Sequence, residues 1–165
     1  MKENFDKIRN SLKEGMLVYR GVKEHYPKDS EYATDPRDFG RGIYYTNNIH
    51  RARAYGDVTK KILVLNNPIV MSMADAYKLA EEYHTVRLPE SHERNPEKSM
   101  LEIIQDDAHQ RMLNAQKMSD DMLNKGYDGL VAVEDDGEIE IVVYTQQRYS
   151  YRKLPVKSIK FVERV

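Results

Sequence analysis

The hydrophobic positions of this chain change period several times, and each change marks an element. In residues 3 to 13, Phe5, Ile8 and Leu12 recur at steps of three and four, which predicts a short docking helix closed by Gly15. Residues Met16 to Val22 then alternate, with Val18, Arg20 and Val22 on one face and Leu17 and Tyr19 on the other, so they read as a strand. Lys23 to Phe39 is rich in charge, Pro and Asp and has no period; it reads as a long loop. Gly40 to Gly56 combines a glycine turn, an extended piece, an N-cap at Thr46 to Asn48 and a short helix that ends at a glycine.

Farther on, Lys61 to Leu65 is a strand, Asn66-Asn67-Pro68 stops it and Ile69-Val70-Met71 continues it. Ser72 caps a helix from Met73, with Asp75 at the capping-box position. Residues 85 to 95 form a polar loop, and Asn95 and Pro96 start a long helix. Its stripe of Leu101, Ile104, Ala108, Met112, Ala115, Met118 and Met122 has the spacing of a core face. Beyond the Gly126 to Gly129 turn, strand Leu130 to Val133 and the hairpin signal Glu134-Asp135-Asp136-Gly137 lead into Glu138 to Tyr144. A tyrosine-rich turn with Tyr149 and Tyr151 precedes a last strand at Ile159 to Val162. The pattern gives about six strands and four helices in one domain, residues 1 to 165.

Two places in this pattern carry candidate chemistry. In the late strand, Ile139, Ile141 and Val143 face a core, which forces Glu138, Glu140, Val142 and Tyr144 to the other side. Two carboxylates then point the same way about 7 Å apart, where like charges gain nothing structurally. The plain alternative is an exposed strand face with solvated acids. In the first strand, Arg20 between two valines needs an anionic partner for its fork of donors, either a carboxylate or ligand oxygens.

Tyr44 and Tyr55 stand at opposite ends of the glycine-bounded unit. A strand entering and a helix returning can bring their rings to either side of a slot for a flat ligand. The nicotinamide ring of NAD suits such a slot, since the attached ring is a pyridinium cation that aromatic faces attract. Otherwise the two are ordinary tyrosines in a chain that has 12 of them.

Composition narrows the classes. Lys plus Arg at 26 against Asp plus Glu at 27 leaves no basic excess for a long phosphate backbone, although a local RNA contact stays open. Cysteine is absent and the five histidines never take a metal-ligand spacing, so no metal is expected. No apolar run approaches the roughly 18 residues of a membrane helix, and the start lacks a secretory apolar core. A soluble protein without a membrane partner is the expectation; the absence of cysteine suits a reducing cytoplasm, of the producing cell or of one into which the protein is delivered, and a monomer is favoured with the oligomeric state left open.

Gly-x-Gly-Ile-Tyr-Tyr followed by a helix ending Ala-x-Ala-Tyr resembles the second conserved block of ADP-ribosyltransferases, above all the poly(ADP-ribose) polymerase branch. Tyr19-Arg20-Gly21 is similar to the first block of phage and toxin members, and Glu-Ile-Val-Val-Tyr resembles the block with the catalytic glutamate. The resemblance implies an α+β fold, a split antiparallel β-sandwich with flanking helices and an NAD cleft, with which about six strands and four helices agree. It implies mono-ADP-ribosyl transfer from NAD, a substrate rather than a resident cofactor, to a macromolecule. A protein side chain is favoured, arginine being a candidate because Glu138 completes Glu-x-Glu; RNA is the other acceptor.

By this resemblance Glu140 is catalytic, Glu138 orients or deprotonates the acceptor, and Tyr44 and Tyr55 stack on nicotinamide. Arg20 grips phosphates and ribose, Gly21 pairs through its backbone with the carboxamide, Tyr19 accompanies them, and the 23 to 39 loop covers the cofactor. Arginine in place of the polymerase histidine argues against chain elongation, and no Ser-Thr-Ser stands in the second block. Other readings are an NAD glycohydrolase, a 2′-phosphotransferase acting on RNA, and an inactive NAD- or ADP-ribose-binding module.

Overall fold

The computed structural model describes residues 2–22, 35–84 and 100–145. Among them the elements follow in the order α1 (Lys2–Glu14), β1 (Met16–Val22), β2 (Asp35–Arg37), β3 (Gly40–Thr46), α2 (Ile49–Arg53), β4 (Asp57–Leu63), β5 (Pro68–Ser72), α3 (Met73–Glu81), α4 (Met100–Asn124), β6 (Gly129–Val133) and β7 (Ile139–Tyr144). The fold is α+β. Its strands form one seven-stranded sheet in the order β4-β1-β3-β7-β6-β5, with β2 paired to β3 off this path.

Local chemistry accounts for most boundaries. Gly15 at φ 120° ends α1 and Gly126 at φ 90° ends α4, both in backbone regions that side chains disfavour. Ser72 caps α3 by accepting from the Asp75 N–H at 3.1 Å. Asn48 caps α2 by accepting from the His50 N–H at 2.9 Å. The turn before β6 is tied back by the Asp128 carboxylate, which accepts from the Asn66 and Asn67 N–H groups at 2.6 and 3.1 Å.

The sheet is covered on both faces. On one, α1 contributes Leu12, which packs with Val18, Leu63, Val70, Val131, Val133, Ile139 and Ile141. On the other, Ala76 and Ala80 of α3 and Met118 and Met122 of α4 pack on Tyr44, Leu130, Ala132, Val142 and Tyr144. The later part of the methionine stripe is therefore core, whereas Leu101 and Ile104 at the start of α4 are exposed.

Three expectations change. The described strands make one sheet, not two, and it is mixed, because β5 and β6 pair in parallel from Pro68↔Gly129 to Ser72↔Val133. A crossover through α3 and α4 joins them, and only a long crossover can return a neighbouring strand in the same direction. The end of the long loop is ordered as β2, paired from Asp35↔Gly42 to Arg37↔Gly40, and Phe39 is 1% exposed in the core. Finally, Val142 and Tyr144 lie on a buried face, so the strand face shared with Glu138 and Glu140 opens only towards the hairpin. The expected polar loop at 85 to 95, the helix start at Asn95 and Pro96, the last strand at Ile159 to Val162 and most of the loop after Lys23 lie outside the described residues.

Candidate functional site

The site residues meet where the sheet is least tightly joined. Strand β3 pairs with β7 from Gly42↔Tyr144 to Thr46↔Glu140, but with β1 only at Tyr19↔Thr46. Residues directly opposite one another in paired strands share a face. Tyr19, Thr46 and Glu140 thus form one row across three strands from distant parts of the sequence. Beyond Tyr19, β1 follows β4 instead, with Arg20↔Thr59 and Gly21↔Val58.

Gly21 is the second meeting point. A Cβ there would lie 1.8 Å from the Ala52 carbonyl oxygen and 3.0 Å from the Tyr55 Cβ. Glycine is what lets the end of α2 rest on β1, and that contact delivers Tyr55 to the same corner. The Tyr55 ring is 44% exposed.

Arg20 is half-buried, between Val18 and Val22, which are both buried. Strand alternation sets it on the opposite face of β1 from Tyr19, so the paired register does not put it in the row with Glu140.

Tyr44 is a different matter. It is 4% exposed, its hydroxyl donates to the Gly40 carbonyl at 2.5 Å and accepts from the Phe39 N–H at 3.1 Å. The expected two-ring slot is therefore not present as an open pair: Tyr55 is partly exposed, and Tyr44 is built into the core in the next row of the same face. The cause is the register, since Tyr44 shares a face with Thr46 and that face is covered by α3 and α4.

The start of α2 grips the β6–β7 hairpin. Asn47 donates to the Gly137 carbonyl at 3.3 Å and accepts from the Ile139 N–H at 3.0 Å. Asn48 donates to Oε1 of Glu138, and Arg51 donates to Oε2 of Glu138 at 3.1 Å and to Oε1 of Glu134 at 2.8 Å. These side chains are 28 to 32% exposed, so their ion pairs are only partly screened by solvent. The Arg51 pKa is raised, first by its hydrogen bond to Glu134 and then by the charges of Glu134, Glu140 and Glu138, against a desolvation cost.

Sequence reading missed Arg51 and the contact of Asn48 with Glu138. The signal was their spacing on one helix turn ahead of Tyr55 together with the acidic hairpin, but nothing linear shows that the two segments touch. Glu134, Asp136 and Glu138 bring carboxylate oxygens within 4.8 Å of one another. Arg51 and Asn48 already engage two of these three residues, so the cluster reads as part of the latch and not as a metal centre.

Tyr77 stands nearby, with its ring 5.1 Å from that of Phe39. Its pKa is raised by burial and by the charges of Asp38, Glu140 and Glu134, with Arg51 opposing. A pocket of about 450 Å³ adjoins the hairpin, lined by Ser72, Met73, Ala74, Val133, Glu134, Asp135 and Asp136.

No family model matches the chain, and no curated protein does. One solved structure, described as the crystal structure of an anti-CRISPR protein, is similar at 12% identity with a TM-score of 0.35. That match covers 78% of this chain and 89% of the other. None of the described helices is long and apolar enough to cross a membrane.

Proposed function

We propose that the chain is an NAD-dependent mono-ADP-ribosyltransferase that releases nicotinamide and passes ADP-ribose to a macromolecular acceptor, a protein side chain in preference to RNA. On this reading it is an effector of phage or toxin type working in a cytoplasm. Its single mixed sheet then stands in place of the family's split sandwich, with the NAD cleft at the weak seam between β1 and β3.

One observation carries the reading. Three sequence blocks that resemble the family's blocks converge on one corner, through the Tyr19–Thr46–Glu140 row and the contact of Gly21 with the end of α2.

The chemistry follows from charge. The nicotinamide leaves as a neutral base and positive charge develops on the ribose, as in glycoside hydrolysis. A fixed carboxylate that holds the adjacent hydroxyl stabilises this charge as it forms, which is the role of Glu140. Tyr55 supplies an aromatic face for the pyridinium, and the backbone of Gly21, on the stretch of β1 beyond its pairing with β3, meets the carboxamide. Tyr44 packs in the next row of the same face, Tyr19 serves the phosphate and ribose side, and Arg20, on the other face of β1, reaches that side only past the edge of the strand that β3 leaves unpaired.

A second reading, a module that binds NAD or ADP-ribose without turnover, draws on the closed position of Tyr44, which leaves one open ring instead of two. Incubation of the purified chain with labelled NAD and a cell lysate, followed by protease or nuclease digestion, separates the two and identifies the acceptor. Glu140→Gln should keep its fold and lower nicotinamide release by at least about a hundredfold. Near-normal release from that variant would remove the catalytic assignment.

A further inference from the structure

The Glu138 carboxylate is occupied from within. Asn48 donates to one oxygen and Arg51 to the other, and Arg51 also bonds Glu134 across the hairpin. A guanidinium on a carboxylate is what an arginine acceptor would itself present to an acceptor-binding glutamate, and Arg51 supplies that guanidinium from the first part of α2.

We propose that Arg51 takes the place an acceptor guanidinium would occupy on Glu138, which makes it a specificity-determining residue that turns arginine side chains away. The inference rests on the transferase reading. Transfer to a guanidinium forms a bond from its nitrogen to the ribose carbon while the nicotinamide–ribose bond breaks, its electron pair going to the ring nitrogen. The attacking nitrogen must then lose a proton. Glu138 stands just before β7, two residues ahead of Glu140, and as a partner of Arg51 and Asn48 it is neither a free anchor nor an effective base for that proton. Glu138 is a positioning residue: with Asn47 and Asn48 it fixes the hairpin against α2, and so fixes the start of β7 where Glu140 stands.

The test uses the full chain and agmatine, a small guanidinium compound, as probe. Agmatine should leave the melting temperature of the wild type unchanged and raise that of Arg51→Gln. Arg51→Lys, which keeps a cation on Glu138, should behave as wild type, and the double variant Arg51→Gln/Glu138→Gln should lose the response. In the same preparations supplied with NAD, ADP-ribosyl-agmatine as a share of nicotinamide released should rise at least tenfold in Arg51→Gln. A wild type stabilised by agmatine, or one that sends most of its ADP-ribose to it, would overturn the proposal. So would a well-folded Arg51→Gln that ignores agmatine. Absence of nicotinamide release from the wild type would instead strike the transferase reading, and the melting measurements, which need no turnover, would still decide whether Arg51 guards Glu138.

Discussion

The two edges of β3 are held very differently. Towards β7 the strand is paired continuously from Gly42 to Thr46, and the β7–β6 pairing continues that frame over buried Leu130, Val131, Ile141 and Val142. Towards β1 it pairs at Tyr19 alone, and the β1–β4 arm leaves Leu17 and Ile62 46% and 61% exposed. The frame holds Glu140 rigidly, while the arm carries Tyr19, Arg20 and Gly21. On the proposed function, a carboxylate that stabilises developing charge must not move and a segment that admits a ligand must give way, and the seam would join one of each kind.

The largest effect should come from breaking the frame. Leu130 is fully buried between strand and helices, so Leu130→Ala should cost about 2–5 kcal/mol in denaturant unfolding. A cost near zero would mean that the frame is not the stable part. Next comes the joint with the arm. Gly21→Ala drives a methyl into the Ala52 carbonyl, and relief requires α2 to shift, at about 1–3 kcal/mol. Since Tyr55 moves with α2, NAD affinity should fall along with stability. Loss of stability with unchanged NAD affinity would separate the arm from the site.

A smaller change sharpens the contrast. Tyr55→Ala removes an exposed ring and should weaken NAD binding by about 1 kcal/mol or more with little change in unfolding, and Tyr55→Phe should be milder. Isothermal titration against NAD reads this directly, and equal affinity in all three proteins would displace the stacking assignment.

The smallest expected effect at neutral pH lies back in the frame. Tyr83 donates to Asp121 at 2.9 Å, and burial together with this bond pushes its pKa up to about 12 from an ordinary 10.0. Because the folded pKa is the higher one, the unfolded chain loses the proton first. Stability is unaffected below the unfolded pKa and falls as pH rises between the two values. Tyr83→Phe should cost about 1 kcal/mol at pH 8 and flatten the alkaline decline, which unfolding curves from pH 8 to pH 12 would reveal. An unchanged decline would assign it to other groups, among them Tyr144, whose pKa burial also raises.

Much of the architecture was legible because it is written in short-range chemistry. The Ser72 and Asn48 caps, the glycine that ends each of α1 and α4, and the Glu134 to Gly137 hairpin all depend on neighbours in sequence. Strand periodicity likewise assigned Ile139 and Ile141 to a core, and both are buried. β2 escaped notice because Asp35-Pro36-Arg37 has no apolar alternation and is held by backbone pairing to β3. Phe39 was placed in a loop for the same lack of a periodic neighbour.

For the site, linear reading singled out Glu138 and Glu140 as a pair two residues apart, and the structure places Glu140 in β7 and Glu138 just ahead of it. Only tertiary structure decided what surrounds them. The Tyr19–Thr46–Glu140 row depends on registers between distant strands, and Tyr44 is closed because α3 and α4 cover its side of the sheet. Arg51 meets Glu138 because Asn47 and Asn48 fasten α2 to a hairpin far along the chain. Linear patterning fixes the face on which a side chain stands, through backbone periods of 2 and 3.6 residues. What covers that face and which charge sits opposite come from packing between elements, where no period operates.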